Sequence, residues 1–313
     1  MIPTFPEFKK IEISDKEEIE NFTKDFPPYS DFNFISLFCW DVDNKRQVSF
    51  LNGNLVVRLT DDISGKEFLS FLGNKKVPET IDELLWFARR QSIKTTLRMI
   101  PQEAVNYCSN PELSLNIKED RNSFDYVFNL DDLSNLCGNK YENVRKHVNR
   151  FQRNYEERSE VVVFNELNDG KYIDCIRSVW KEWKSLKESY SSVEERAISK
   201  LFDNAEHFSM KNILLFIDGK PAAFSLNQVI DKENAISHFA KVNYNYGDIF
   251  PFLQRETAKC LAAEGCKFVN LEEDLGLLSL RKAKEQYRPS NFLRKYTIER
   301  RKGIIGKLLA IFH

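Results

Sequence analysis

Three consecutive acids near the carboxyl end of the chain, Glu272, Glu273 and Asp274, are the residues best suited to chemistry. They follow a short apolar run at 267–270 that predicts a buried strand, and open sheets bind ligands at the carboxyl ends of such strands. Carboxylates there could hold an ammonium group or accept a proton. The competing interpretation is structural, because acids are also favoured at a helix N-terminus.

A basic helix face begins seven residues after these acids. Its side chains are Arg281, Lys282, Lys284 and Arg288. Three of them recur at i, i+3 and i+7, so they share one face and could bind the phosphate or carboxylate of a substrate. In the same stretch, the Tyr287 hydroxyl could donate a hydrogen bond to a developing oxyanion. An ordinary solvated face is the alternative.

The link between the two groups is a predicted turn. Gly276 tolerates a positive φ angle, so the chain can reverse there. We therefore expect Asp274 to be partly buried and to pair with Arg281, which would keep the acid ionised.

Length, composition and charge exclude several classes of protein. The chain has 313 residues, 42% of them hydrophobic, with 46 Lys and Arg against 47 Asp and Glu. Two domains are expected at about 100–200 residues each, and a disordered chain is excluded. Six cysteines without a CxxC pair and only four histidines predict no metal site and no disulfide. With no secretory signal and no membrane-length apolar run, we expect a cytoplasmic protein.

The order of predicted elements points to a fold. The second half reads as strand 161–164, helices 171–187 and 193–207, strands 213–217, 222–230 and 235–242, helix 251–264, strand 267–270, helix 278–286 and strand 292–298. This order resembles a Gcn5-related N-acyltransferase domain. The first half opens with a hairpin around Asn52-Gly53 and continues with alternating helices and strands. The expected fold is thus α/β: two tandem Gcn5-related N-acyltransferase-like domains, each a mixed, mostly antiparallel sheet flanked by helices. The expected boundaries are 1–132, 133–299 and a tail at 300–313.

Several motifs resemble the phosphatidylglycerol lysyltransferase C-terminal domain family. Residues 270–276 (NLEEDLG), 280–284 and 287–289 (YRP) are similar to its C-terminal signature, and residues 29–34 (YSDFNF) to its N-terminal one. The resemblance implies two acyltransferase folds similar to the Fem-type aminoacyl transferases. It also implies the activity of characterised family members, which move an aminoacyl group from aminoacyl-tRNA to a lipid hydroxyl. The multi-span membrane portion of the lysyltransferases is absent here, so the acceptor could be a phospholipid or another amine or hydroxyl compound.

The donor could be aminoacyl-tRNA or acyl-CoA. Acyl-CoA enzymes of this fold hold the pyrophosphate on a Gly-rich turn at a helix N-terminus. The equivalent turn, residues 243–251, has one glycine, bulky aromatics including Tyr246, and Asp248 as the expected helix cap. An acid there would repel a pyrophosphate, so we predict that the donor is not bound through CoA. His238 and Lys241, on the third strand of the predicted meander, are further substrate-binding candidates.

Two basic segments suggest other partners. Lys146, Arg150 and Arg153 project from one face of a helix at 139–158, where they could follow the phosphates of a tRNA. The tail at 300–313 has an apolar stripe flanked by basic residues, which is typical of peripheral membrane contact at the inner face of a membrane. Ordinary amphipathic helices are the alternative in both cases. A non-catalytic binding module derived from a transferase, or an acyl-CoA-dependent enzyme acting on a small molecule, also fits the sequence.

Overall fold

The computed structural model describes residues 1–60, 65–108, 114–167, 169–186 and 192–301. These residues form two compact units. Unit 1 comprises Met1–Phe26, Asp43–Ser123 and the described chain from Arg294 onward, and unit 2 comprises Pro27–Val42 and Phe124–Leu293. The units differ from the sequence-based division at residue 132, because residues 27–42 and 124–132 belong to unit 2 and residues 294–299 to unit 1. The expected tail falls mostly at 302–313, outside the described residues.

The elements are numbered along the chain. The α-helices are α1 (Lys16–Thr23), α2 (Phe34–Cys39), α3 (Val77–Arg90), α4 (Gln102–Val105), α5 (Leu130–Asn135), α6 (Glu142–Tyr155), α7 (Gly170–Ser185), α8 (Ser192–Phe202), α9 (Ile249–Ala263) and α10 (Leu278–Glu285). The strands are β1 (Lys9–Lys10), β2 (Gln47–Leu51), β3 (Asn54–Thr60), β4 (Glu67–Leu72), β5 (Leu97–Pro101), β6 (Leu115–Glu119), β7 (Asp125–Asn129), β8 (Ser159–Phe164), β9 (Lys211–Ile217), β10 (Lys220–Val229), β11 (Asn234–Val242), β12 (Phe268–Asn270), β13 (Asn291–Leu293) and β14 (Lys295–Arg300).

Unit 2 is built on a seven-stranded sheet in the order β13-β7-β12-β11-β10-β9-β8. Its element order from β8 to β13 is the one that the sequence predicts for a Gcn5-related acyltransferase. Among the described residues of this sheet, strands β11 and β12 form the one parallel pair, which begins at Asn234 and Phe268 and ends at Ile236 and Asn270. Strand β11 continues beyond this point whereas β12 ends and the chain turns.

Unit 1 repeats this order in a smaller form. Three antiparallel strands, β2 to β4, are followed by α3, β5, α4 and β6. The strands form two sheets, β1-β2-β3-β4 and β5-β14-β6. The predicted fold class, tandem α/β units with mostly antiparallel sheets, is confirmed.

Each unit takes one inner strand from the other half of the chain. Strand β7 lies between β12 and β13 in unit 2, and β14 lies between β5 and β6 in unit 1, both with antiparallel neighbours. The single strand expected at 292–298 is therefore two short strands, β13 and β14, in different sheets. Alternation of side chains cannot distinguish one strand from two, because it carries no information about pairing partners.

The core of unit 2 forms where helices cover its seven-stranded sheet. Helix α6 buries Val144, Val148 and Phe151, which recur at helical spacing. The Phe151 ring stacks on Phe252 of α9 with ring centres 4.5 Å apart. This packing fixes α9 beside β11 and holds the start of α9 close to the basic face of α6.

Candidate functional site

The turn that follows β12 is organised by Asn270, whose side chain is buried. Its Nδ2 donates to the Pro28 carbonyl at 2.8 Å and to Asp125 Oδ2 at 3.1 Å, and its Oδ1 accepts from the Glu272 amide at 2.7 Å. Glu272 has a φ of 61° and Gly276 a φ of 73°. The positive φ at Gly276 is the reversal that the sequence predicts.

Asp274 is completely buried in this turn. Arg281 Nε and Nη2 contact its two oxygens at 2.7 and 3.0 Å, the Tyr126 hydroxyl donates to Oδ2 at 2.6 Å, and the Gly276 amide donates to Oδ1 at 2.8 Å. Burial alone would raise the pKa of this carboxyl, but the bonds from Arg281, Tyr126 and Gly276 together hold it below its ordinary value. The expected pairing with Arg281 is present, whereas the expected partial exposure of Asp274 is wrong.

Lys284 lies under the same turn. Its Nζ donates to the carbonyls of Leu271, Glu272 and Glu273 at 2.6, 3.1 and 2.6 Å. Burial lowers the pKa of this ammonium, and the neighbouring carboxylates, Glu273 first, oppose that shift. Since its three N–H groups are engaged by the backbone, the structure places Lys284 as a support for the acidic turn.

Glu272 is the acid of the turn that contacts β11. Its Oε1 lies 3.2 Å from His238 Nδ1, and His238 Nε2 lies 3.3 Å from Gln228 Oε1 on β10. Gln228 in turn accepts from Asn33 Nδ2 at 2.8 Å. The His238 side chain has no exposed surface, whereas 19% of the Glu272 side chain is exposed. Burial lowers the pKa of His238 to about 3.

Glu273 faces the segment that carries the N-terminal motif. Its Oε2 is 3.3 Å from the Ser30 hydroxyl, which lies 2.7 Å from Asp125 Oδ1; the Ser30 amide also donates to Asp125. Ser30 has one hydroxyl proton, and the shorter bond goes to Asp125. The Glu273 carboxylate therefore keeps acceptor capacity for an incoming group.

The other predicted residues of α10 and the loop after it separate into two environments. Tyr287 is buried, its hydroxyl has no hydrogen-bond partner among the described residues, and burial raises its pKa. Lys282 and Arg288 are exposed, and Arg288 Nε contacts the Lys140 carbonyl at 3.3 Å. These exposed cations do not join the buried network around Asp274.

The substrate-binding candidates Lys241 and Tyr246 lie elsewhere in unit 2. Lys241 Nζ bonds Glu194 Oε1 on α8 at 2.6 Å and lies over the rings of Trp180 and Trp183. Tyr246 packs edge-on against Tyr155. Lys241 therefore contacts the pair of helices α7 and α8, on the strand that also carries His238.

The turn before α9 is occupied by an internal acid. Asp248 precedes the helix but makes no capping bond with its side chain, which corrects the sequence-based expectation. Its Oδ1 instead lies 2.7 Å from His147 Nδ1 and its Oδ2 lies 3.2 Å from Arg150 Nε. Of the two other basic candidates on α6, Lys146 pairs with Glu142 at 2.7 Å and Arg153 is exposed.

A family model decides where this arrangement belongs. The family described as "Phosphatidylglycerol lysyltransferase, C-terminal" matches residues 24–299. The chain belongs to this family. The match includes both sequence signatures and every residue of the site described above. Membership and fold together support acyl or aminoacyl transfer as the general activity.

Solved structures of similar fold agree with this membership. A conserved protein of unknown function from Bacteroides thetaiotaomicron VPI-5482 is 25% identical, with a TM-score of 0.79 over 95% of this chain and 99% of its own. The C-terminal domain of a candidate lysylphosphatidylglycerol synthetase from Agrobacterium fabrum is 15% identical, with a TM-score of 0.64 over 96% and 95%. L-PGS from Bacillus licheniformis is 16% identical, with a TM-score of 0.62 over 99% and 98%. No curated protein matches the chain.

The described residues contain no helix that is both long and apolar enough to cross a bilayer. They also contain no group of three or more His, Cys, Asp or Glu side chains arranged to hold a metal ion.

The sequence predicts the acidic turn but not its partners. Four residues that contact Glu273, His238 or each other are not predicted as site residues: Ser30, Asn33, Asp125 and Gln228. The available signal was the N-terminal motif, because Ser30 and Asn33 lie within it. The aromatic residues of that motif, Tyr29, Phe32 and Phe34, are buried.

Proposed function

We propose that this protein transfers an aminoacyl group from an aminoacyl ester such as aminoacyl-tRNA, rather than an acyl group from coenzyme A, to a hydroxyl or amine acceptor. The observation that carries the proposal is the pairing of Asp248 with His147 and Arg150 at the start of α9. In acyl-CoA enzymes a pyrophosphate occupies this kind of helix start. Here a carboxylate of the chain already contacts His147 and Arg150 and would repel a phosphate.

The acidic turn supports an aminoacyl rather than a simple acyl group. An aminoacyl ester carries an ammonium next to the reacting carbonyl, and carboxylates bind ammonium groups with charge-assisted hydrogen bonds. Glu273 has acceptor capacity in the turn beyond β12, and Glu272 lies next to it in sequence with part of its side chain exposed. The ammonium therefore binds Glu273, while Glu272 faces the reacting carbonyl.

The acceptor and the tRNA contact extend this proposal. Phosphatidylglycerol is the first acceptor to test, since the family takes its name from it. The exposed Arg153 and the face of α6 around it are suited to contact a tRNA phosphate. Tail residues 302–313 would supply the membrane contact, and they lie outside the described residues.

The test offers the purified chain a mixture of radiolabelled aminoacyl-tRNAs or labelled acetyl-CoA, with vesicles that contain phosphatidylglycerol. Label is expected in the lipid, or in an added amine acceptor, with aminoacyl-tRNA and not with acetyl-CoA. The matched control is Glu273→Gln, which keeps the shape of the side chain but loses the charge that holds the ammonium. Transfer from acetyl-CoA alone would contradict the proposal, and donor binding without turnover would favour a binding module.

A further inference from the structure

Four polar side chains form a continuous chain across unit 2. It runs from Asn33 before α2 through Gln228 on β10 and His238 on β11 to Glu272 after β12. Successive contacts measure 2.8, 3.3 and 3.2 Å. Because His238 is enclosed, the protons in this chain must be arranged by the side chains themselves.

The first member has a fixed orientation. Asn33 Oδ1 accepts from the amides of Ile35 and Ser36 at 2.9 and 3.4 Å and so caps α2. A flipped amide would point an N–H₂ group at two backbone N–H groups. Asn33 Nδ2 is therefore the donor toward Gln228, and the Gln228 atom that receives it at 2.8 Å must be the oxygen.

This orientation determines the histidine tautomer. His238 Nε2 faces the same Gln228 oxygen, so a bare ring nitrogen there would oppose one lone pair to another. Nε2 must carry a proton. An imidazole with its proton on Nε2 has a lone pair on Nδ1, and that lone pair faces Glu272 Oε1.

We infer that His238 and Glu272 together hold two protons, one fixed on Nε2 and one on the line between Nδ1 and Oε1. An ordinary neutral histidine beside a carboxylate holds one. Burial lowers the pKa of His238 to about 3, which favours a neutral ring. With a lone pair on Nδ1, the 3.2 Å contact to Glu272 Oε1 then needs its proton on the Glu272 carboxyl. The charged groups near the pair include the Lys284 ammonium, which bonds the Glu272 carbonyl and interacts with the Glu272 carboxyl, and the carboxyls of Glu273, Asp125 and Asp274, which also interact with Lys284.

This placement of two protons deepens the proposed function, and its meaning for catalysis rests on that function. With 19% of its side chain exposed in the turn beyond β12, Glu272 is a general acid that already carries the proton the reaction needs. As the bond between the carbonyl carbon and the leaving oxygen breaks, Glu272 gives its proton to that oxygen. As the acceptor bonds to the carbon, its hydroxyl or amine proton returns to Glu272. His238, Gln228 and Asn33 are positioning residues that act through Glu272.

Nitrogen NMR of protein labelled at its histidines tests this proton placement without any substrate. The chain has four histidines. His147→Gln, His207→Gln and His313→Gln assign the other three, and unmodified His147, which pairs with Asp248, serves as an internal reference. At neutral pH His238 is expected to show a proton on Nε2. Carbon NMR of protein labelled at its glutamate carboxyls is expected to show one protonated carboxyl, which disappears in Glu272→Gln. A proton on Nδ1 with a bare Nε2 overturns the inference.

Asn33→Asp gives a sharper test. Aspartate keeps the oxygen that caps α2 but removes the N–H donor. Gln228 is then free to turn and to donate its amide to both neighbours, so His238 is expected to move its proton to Nδ1 and Glu272 to ionise. Asn129→Asp is the control, because Asn129 also caps a helix, α5, by accepting from the Asp132 amide and does not join the chain. An unchanged His238 tautomer in Asn33→Asp contradicts the inference.

Glu272→Gln separates this inference from the proposed function. Its amide still donates to Nδ1 but has no proton to transfer, so the tautomer is retained while transfer falls on the order of 10²–10⁴-fold. If no donor reacts with the wild-type protein while the NMR result is as expected, the proposed function is wrong and the proton placement is supported. If transfer occurs but His238 carries its proton on Nδ1, the proton placement is wrong and the transferase function is supported.

Discussion

Arg281 grips both oxygens of Asp274, a carboxylate with no exposed surface, through Nε at 2.7 Å and Nη2 at 3.0 Å. The Tyr126 hydroxyl and the Gly276 amide bind the same carboxylate. All of these donors belong to the protein, so Asp274 stabilises the turn and does not bind a substrate directly. A carboxylate in this position is expected to contribute to stability.

We predict that Asp274→Asn lowers the free energy of unfolding by about 1–3 kcal/mol, because an amide cannot accept from Arg281 at both positions. Urea unfolding followed by circular dichroism measures this change. Asp82→Asn is the control, since Asp82 pairs with Arg300 at 2.7 Å but both side chains are about half exposed. That variant is expected to change stability by about 0–1 kcal/mol. Equal effects in the two variants would contradict a buried structural role.

The same carboxyl makes stability depend on pH in acid. Its pKa in the folded state lies below its ordinary value, so the unfolded chain binds the proton more readily. The contribution of Asp274 is then complete above about pH 5 and is lost as the pH falls below about 4 and through the folded-state pKa. The difference in stability between wild type and Asp274→Asn should accordingly shrink in acid. A difference that stays constant down to the acid limit would show that the charge is not involved.

Removal of the ammonium beneath the acidic turn should disturb the site more than removal of its neighbour. Lys284→Met removes the ammonium that donates to the carbonyls of Leu271, Glu272 and Glu273, and we expect a loss of about 1–3 kcal/mol and of most transfer activity. Lys282→Met, two residues earlier on the exposed side of α10, should change neither. Chemical denaturation and a transfer assay on both variants check this pair.

The anion-binding potential of the α9 start should appear when its internal acid is removed. Asp248→Asn releases His147 and Arg150 and is expected to increase affinity for pyrophosphate or coenzyme A about tenfold, which corresponds to ~1.4 kcal/mol. Isothermal calorimetry measures the change. Asp218→Asn, which removes the exposed partner of Arg158, is the control. No gain in Asp248→Asn would mean that this helix start does not bind phosphate groups even when its cations are released.

The buried hydroxyl of Tyr287 gives a prediction that separates function from stability. It has no partner among the described residues, so Tyr287→Phe should leave the free energy of unfolding unchanged or slightly higher. If the hydroxyl bonds the developing oxyanion, transfer should fall by about 10²-fold or more. Tyr126→Phe provides the contrast, because the loss of its bond to Asp274 should lower stability. Normal transfer by Tyr287→Phe would assign this tyrosine to the core.

Local signals in the sequence were enough for most elements and for one ion pair. The Asn52-Gly53 hairpin, the amphipathic helix α6 and the contact of Asp274 with Arg281 involve residues close in sequence. The repeat of a helix or a strand fixes the spacing of such residues, so these features can be predicted from the sequence alone.

The polar chain from Asn33 to Glu272 could not be derived in that way. Asn33 and Gln228 are 195 residues apart. In the sequence, Asn33 looks like an ordinary helix cap and Gln228 like an ordinary strand residue. The exchange of β7 and β14 was equally hidden, since alternating side chains predict a strand but not the sheet that it joins. Long-range pairing, rather than local preference, is what the sequence alone left undetermined.

That exchange has a consequence for synthesis on the ribosome. When residue 132 emerges, unit 1 still lacks β14, the middle strand between β5 and β6, and it receives that strand only after nearly the whole chain has been made. The amino-terminal half therefore waits with two strand edges unpaired, a state that invites aggregation or chaperone binding. A gene cut at residue 132 should yield two insoluble fragments that recover structure only when they are refolded together.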